Sequence, residues 1–367
     1  MKKKIFIIVG EESGDLLCSK VFSKINIENY EIYGIVGNEL EKFNRIKKIF
    51  HCKEISFMGI KDVIINIFKI KKLLNYTISE IQNIKPDLVF SVDAPDFVFR
   101  VINSLKSKNF KAKFYHFVAP TIWAWRESRA KKIGGLLDKI FLLFDFEKKF
   151  FDKYKINSNF VGHPFFDDFD LAPNNNLENK NIITLCSGSR ISELKIFLPL
   201  FKSLIKKLDK KYLFHFPVTK IHESYIKNEL KDLTNIVICS DKEEKEKYFK
   251  KTRFAIAKSG TISLDLCKNK IPFITIYKFS WFNYFLIKPL VKVKNINIVN
   301  IMSQKTIIPE LIQGDCNLKN ILKLTNKYLS STDECFKMID EYSHVLSRIS
   351  SMDSAQLVAN EIELALK

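Results

Sequence analysis

Short apolar runs alternate with longer stretches of helical periodicity along the whole chain. This is the pattern of parallel strands buried on both faces and joined by helical crossovers. In the first half the runs predict strands over Ile5–Val9, Glu31–Val36, Leu88–Val92, Lys113–Val118 and Lys139–Leu143. In the second they predict strands over Ile182–Cys186, Tyr212–Pro217, Ile236–Cys239, Phe254–Ala257 and Phe273–Tyr277. The polar, Pro- and Asn-rich segment Leu171–Lys180 separates the two series. A doubly wound α/β fold in two domains is therefore expected, spanning 1–170 and 181–344. The last stretch, Ala355–Leu366, is apolar at helical spacing, and the tail 345–367 is expected to pack back on the first domain.

Composition narrows this picture. A chain of 367 residues, 46% hydrophobic and 13% aromatic, has enough apolar bulk for two cores and is not disordered. Its 60 Lys and Arg against 41 Asp and Glu leave a net charge of +19, which favours anionic partners: a membrane surface, a phosphorylated ligand or nucleic acid. Lys, Ile, Asn and Phe are abundant together, so part of that charge reflects codon drift. Seven cysteines show no CxxC spacing and read as reduced thiols in a cytoplasmic protein. The six histidines form no metal motif, and no bound metal or cofactor is expected. The apolar run after Lys2–Lys4 is too short for a signal peptide, and no segment reaches the ~20 apolar residues of a membrane span.

Candidate chemistry lies at strand ends, where α/β proteins place their sites. Gly10-Glu11-Glu12-Ser13-Gly14-Asp15 follows the first strand with G-x-x-x-G spacing, unlike the G-x-G-x-x-G of dinucleotide-binding proteins. Asp93 stands one residue past a strand and could accept a proton as a general base; Asp96, after Pro95, reads equally as a turn or cap residue. Ser187-Gly188-Ser189-Arg190 and Lys258-Ser259-Gly260-Thr261 each follow a strand, as diphosphate-binding turns do, although simple helix capping would look the same. Asp265 lies on the helix after the second turn. Tyr115–Arg126 carries Pro120, Trp123, Trp125 and Arg126 after another strand. Residues 57–74 combine Phe57, Met58, Ile64, Ile67 and Phe68 with lysines, which suits an interfacial helix or a core helix with snorkelling lysines.

Together these segments resemble the lipid-A-disaccharide synthase family of bacterial glycosyltransferases. The resemblance extends to Met58-Gly59, Phe146-Glu147-Lys148, Val161-Gly162-His163, Val299-Asn300 and Pro309–Gln313. It implies a GT-B fold with two Rossmann-like domains facing each other across a cleft. The N-terminal domain would take the acceptor, around Gly10, Glu12, Ser13, Gly14, Asp15, Pro120, Trp123, Trp125 and Arg126. The C-terminal domain would take UDP, at Ser189, Arg190, Ser259, Gly260, Thr261, Asp265, Asn300 and Glu310. The implied reaction joins UDP-diacylglucosamine to diacylglucosamine 1-phosphate with inversion, Asp93 acting as base and UDP departing without a metal. Peripheral association with the cytoplasmic face of an anionic inner membrane and a homodimer are implied as well; no nucleic-acid partner is expected, because the lysines are dispersed without a recognisable binding module. The chain departs from the family at Ser187, where Pro is usual, at Asp265, where Glu is usual, and at Ser303-Gln304-Lys305. A different GT-B UDP-sugar enzyme, such as an epimerase or cell-wall glycosyltransferase, is the alternative, followed by a basic nucleic-acid-binding protein.

Overall fold

A computed structural model describes residues 2–56, 66–122, 131, 133–167, 169, 177–278, 295–350 and 352–367. The chain divides into two compact units, Met1–Asp168 with Arg348–Lys367, and Phe169–Ser347.

The first unit holds a parallel sheet of strands β1 (Lys3–Val9), β2 (Tyr30–Val36), β3 (Ile46–His51), β4 (Leu88–Val92), β5 (Lys113–Phe117), β6 (Lys139–Leu142) and β7 (Ser158–Phe160), in the order β3-β2-β1-β4-β5-β6-β7. Ile5 to Val9 and Leu88 to Phe90 are fully buried, which explains their unbroken apolar sequence: helices cover both faces. After β1 the chain winds toward β3, and from β4 it winds the other way. The neighbouring carboxyl ends of β1 and β4 thus form a topological switch point, where this architecture opens a crevice.

The helix Ser354–Leu366 packs on the helix Glu12–Phe22 through Ala355, Val358, Ala359, Ile362 and Leu366, all buried. Its Glu361 bonds Lys139 Nζ at 2.7 Å and Asn159 Nδ2 at 3.1 Å, tying the C-terminus to β6 and β7. The Val161-Gly162-His163 segment meets the returning chain, with the His163 amide donating to the Ile349 carbonyl at 3.5 Å.

The second unit repeats the plan with β8 (Ile182–Cys186), β9 (Leu213–Pro217), β10 (Ile236–Cys239), β11 (Thr252–Lys258), β12 (Phe273–Tyr277) and β13 (Glu310–Ile312), in the order β10-β9-β8-β11-β12-β13. Its switch point lies between β8 and β11. Strands β3, β7 and β13 have no counterpart among the strands expected from sequence; each is a sheet edge, where one-sided pairing weakens the apolar signal.

Candidate active site

In the first unit the switch point is built from strained backbone. Asp93 and Ala94, just past β4, have φ of 58° and 46°, and Val118, just past β5, has φ of 71°. Such conformations cost a non-glycine residue about 1–3 kcal/mol each and survive only where surrounding contacts impose them. Two of those contacts are the Asp93 amide, which donates to the Phe117 carbonyl at 3.1 Å, and the approach of Gly10. A Cβ on Gly10 would lie 2.0 Å from the Ala94 Cβ, so only glycine fits. The result turns Asp93 out of the ladder beside a pocket of about 260 Å³ lined by Gly10, Glu11, Ile55, Ile70, Ala94 and Arg100. Burial raises the Asp93 carboxyl above its ordinary range, with a hydrogen bond from the Ala94 backbone acting the other way. A carboxylate whose charge is disfavoured is a stronger proton acceptor. Asp96 is exposed in the first turn of the helix Pro95–Ser107.

Other residues expected at this site have different roles. Asp15 is 2% exposed, and its two carboxylate oxygens accept the amides of Gly37 at 2.8 Å and Glu39 at 2.7 Å. It clamps the loop after β2. Glu12 and Ser13 are exposed in the first turn of their helix, Glu12 pairing with Lys53 at 2.9 Å; Gly14 is buried, and a Cβ there would sit 3.5 Å from that of Asp93. His116 is fully buried on Ser91 Oγ at 2.8 Å and pushed down to about 3 by desolvation, so it is neutral and enclosed. Pro120 is buried. Trp123, Trp125 and Arg126, like Phe57, Met58 and Ile64, lie outside the described residues. Of the expected apolar segment 57–74, residues 66–74 are described; they lead into and begin the helix Ile67–Ile84, with Ile67 54% and Phe68 84% exposed. Among the described residues no helix is long and apolar enough to cross a membrane.

In the second unit a pocket of about 450 Å³ opens at the β8–β11 switch point, lined by Gly188, Ser189, Lys245, Lys258, Gly260 and Asp265, among others. Both expected turns contribute. Gly188, at φ 100°, makes the bend that brings Ser189 and Arg190 to the start of the helix Ile191–Ile205. Gly260 faces open space and Thr261 is exposed on the rim. The Asp265 carboxyl is raised to about 6 by burial first and by Glu246 second, while Lys268, Lys245 and Lys242 hold it down. Lys245 is itself lowered by burial, and Asp265 opposes that shift.

Of three further residues expected at the nucleotide site, Ser259 lines the pocket while bonding the frame, and Asn300 and Glu310 bond the frame around it. The Ser259 amide donates to the Ile276 carbonyl and its hydroxyl to the Ile296 carbonyl, both at 3.1 Å. Asn300 is fully buried: Oδ1 accepts the amides of Ile307 and Ile308, and Nδ2 donates to the Ile308 carbonyl and to Glu310. Glu310 accepts the amides of Ile296 and Asn297 at 2.9 Å. A buried polar group needs such partners, and here the backbone supplies them. Lys258 and Lys245 also line the pocket; the sequence named Lys258 only as the first residue of the second turn, without a ligand role, and did not single out Lys245. Lys258 immediately precedes the Ser-Gly-Thr turn, a positional hint; Lys245 lies in a Lys/Glu-rich helix that reads as a solvated face.

The family model described as lipid-A-disaccharide synthetase matches residues 5–361. The lipid-A-disaccharide synthase of Rickettsia bellii is 32% identical over 361 residues, covering 95% of this chain and 94% of the relative. Among solved structures, the S. aureus MnaA–UDP complex superposes with a TM-score of 0.67 at 13% identity, covering 98% of this chain and 96% of the other. The Neisseria meningitidis UDP-GlcNAc 2-epimerase bound to UDP-GlcNAc does so with 0.66 at 12%, covering 98% and 99%. At such identities the structural likeness speaks for the fold: two parallel-sheet α/β domains, as in GT-B proteins.

Proposed function

The chain belongs to the lipid-A-disaccharide synthase family and is a glycosyltransferase of lipid A disaccharide synthesis; from that premise we propose how its two switch points divide the reaction. The second-unit pocket takes UDP-diacylglucosamine, its nucleotide end among Ser189, Arg190, Gly260, Thr261 and Asp265. The first unit takes diacylglucosamine 1-phosphate near Gly10 and Asp93. Asp93 accepts the proton of the acceptor 6-hydroxyl as that oxygen attacks C1 of the donor. The C1–O bond to the diphosphate breaks on the opposite face, an α linkage becomes β, and UDP leaves with the bonding electrons. Arg190 and the backbone at the second turn meet the charge that develops on the diphosphate, without a metal.

The observation that carries this reading is Asp93: a strained, partly buried carboxyl with raised proton affinity, at a switch point and beside a pocket. Exposed Ile67 and Phe68, on the helix that supplies Ile70 to that pocket, support a peripheral contact with an anionic membrane where acylated substrates reside. Family membership favours the transferase over the epimerase and nucleic-acid-binding alternatives. Asp93→Asn keeps shape and removes basicity, so turnover should fall by ~10²-fold or more while UDP affinity is retained. Turnover within a few-fold of wild type would exclude Asp93 as the base.

A further inference from the structure

At the Gly188–Arg190 turn, the place where an anion would be received is held by the protein's own carboxylate. Glu193 Oε2 accepts the Ser189 amide at 3.0 Å. Its Oε1 lies 2.9 Å from Lys258 Nζ, with the two side chains 14% and 16% exposed, and 3.8 Å from Arg190 Nη1. A capping glutamate ordinarily bonds backward through one oxygen and leaves the other to solvent. Here the other oxygen meets a desolvated lysine whose ammonium also sits 5.1 Å from the centre of the Tyr277 ring. Gly188 leaves room for the carboxylate, since a Cβ there would lie 2.2 Å from Oε2. An amide, an ammonium and a guanidinium thus converge on one carboxylate, the donor set that a phosphate group also takes.

We infer that Glu193 is an internal surrogate for the donor's diphosphate. In the free enzyme it keeps the Ser189 amide, Lys258 and Arg190 together, and it yields them to the phosphate when the nucleotide binds. The inference rests on the reading that this pocket takes UDP. Carboxylate and phosphate cannot occupy the site together, because the Ser189 N–H serves one acceptor and two anions at ~4 Å repel. Lys258 thereby becomes a phosphate-binding residue and Glu193 a positioning residue. When Glu193 returns it competes with product UDP and hastens its departure, and product release is the slow step of many enzymes.

Glu193→Gln retains an acceptor for the Ser189 amide and removes the competing charge. Calorimetry on the full-length chain should show UDP and inorganic pyrophosphate binding roughly five- to tenfold tighter to this variant, with UDP dissociation slowed in proportion. Lys258→Met should weaken both ligands by a similar factor. Unchanged or weaker UDP binding by Glu193→Gln would overturn the inference, leaving Glu193 as a cap of the turn. A structure of the wild-type UDP complex tests the same point without any variant. Glu193 should then lie beyond hydrogen-bond reach of the Ser189 amide and Lys258, and retention of both contacts overturns the surrogate role. Failure of the wild-type protein to bind UDP overturns the nucleotide reading together with this one, which separates the two failures.

Discussion

Asp265 is the residue whose protonation should be visible in ligand binding. Its carboxyl is raised to about 6, so it is ionised at pH 7.5 and largely protonated at pH 5. An ionised carboxylate accepts bonds from ribose hydroxyls, and a proton competes for the same oxygens. UDP affinity should therefore fall about tenfold between pH 7.5 and pH 5 beyond any change seen in Asp265→Asn. Referring to the variant cancels the ionisation of the nucleotide's own phosphate. Identical pH profiles for the two proteins would remove Asp265 from the nucleotide contact. At this scale the sequence singled out Asp93 by its position past a strand end and Asp265 by the family resemblance, but it could not separate them from Asp15, Asn300 and Glu310. All are polar residues in similar settings, and what distinguishes them is whether distant backbone amides and carbonyls reach them. That is not written in local pattern.

Among elements, the crossing of Gly10 over Ala94 makes the β1 and β4 loops one unit. Gly10→Ala places a Cβ 2.0 Å from the Ala94 Cβ, so one loop must move. A loss of ~1–3 kcal/mol in stability is expected from overpacking, with turnover falling more than UDP affinity because the displaced loop carries Asp93. Denaturant melts and calorimetry check both parts, and wild-type stability with wild-type turnover would show that the contact is dispensable. The helix Ile67–Ile84 gives a second expectation. Its buried face is Thr77, Ile78 and Ile81, whereas Phe68 stands 84% exposed. Phe68→Ser should weaken binding to anionic vesicles about tenfold or more, the effect of withholding one aromatic side chain from lipid, with no change in melting temperature. Unaltered vesicle binding with an earlier melt would instead mark Phe68 as a packing residue. Interior strands were legible because both faces are buried and the sequence is continuously apolar. The edge strands β3, β7 and β13 were not, since Ile46–His51 carries two lysines and the other two span three residues each.

For the whole molecule, three enclosed histidines make stability depend on acid. His116, His163 and His215 are each lowered from 6.5 to about 3, burial being the main cause in every case. The folded protein keeps them neutral while the unfolded chain takes up protons below pH 6.5. Their contribution is therefore complete above about pH 6.5 and is lost as pH falls from there toward 3, at ~1.4 kcal/mol per histidine per pH unit. Asp265, raised to about 6, works in the opposite sense and offsets part of this. The melting temperature should be lower at pH 5.5 than at pH 7.5, and an equal or higher value would contradict neutral burial of these histidines. Sequence by itself determined the α/β class, the interior strands of both sheets and the order of strand-end motifs that marks the family, because strand burial and turn geometry restrict residue types locally. Only the tertiary structure decided the left-handed backbone at Asp93, Ala94 and Val118, the pairing of Lys258 with Glu193, and which polar side chains hold the frame and which line a pocket. These depend on contacts between segments far apart in the chain, and the same residue types satisfy either arrangement until the sheets bring their partners within reach.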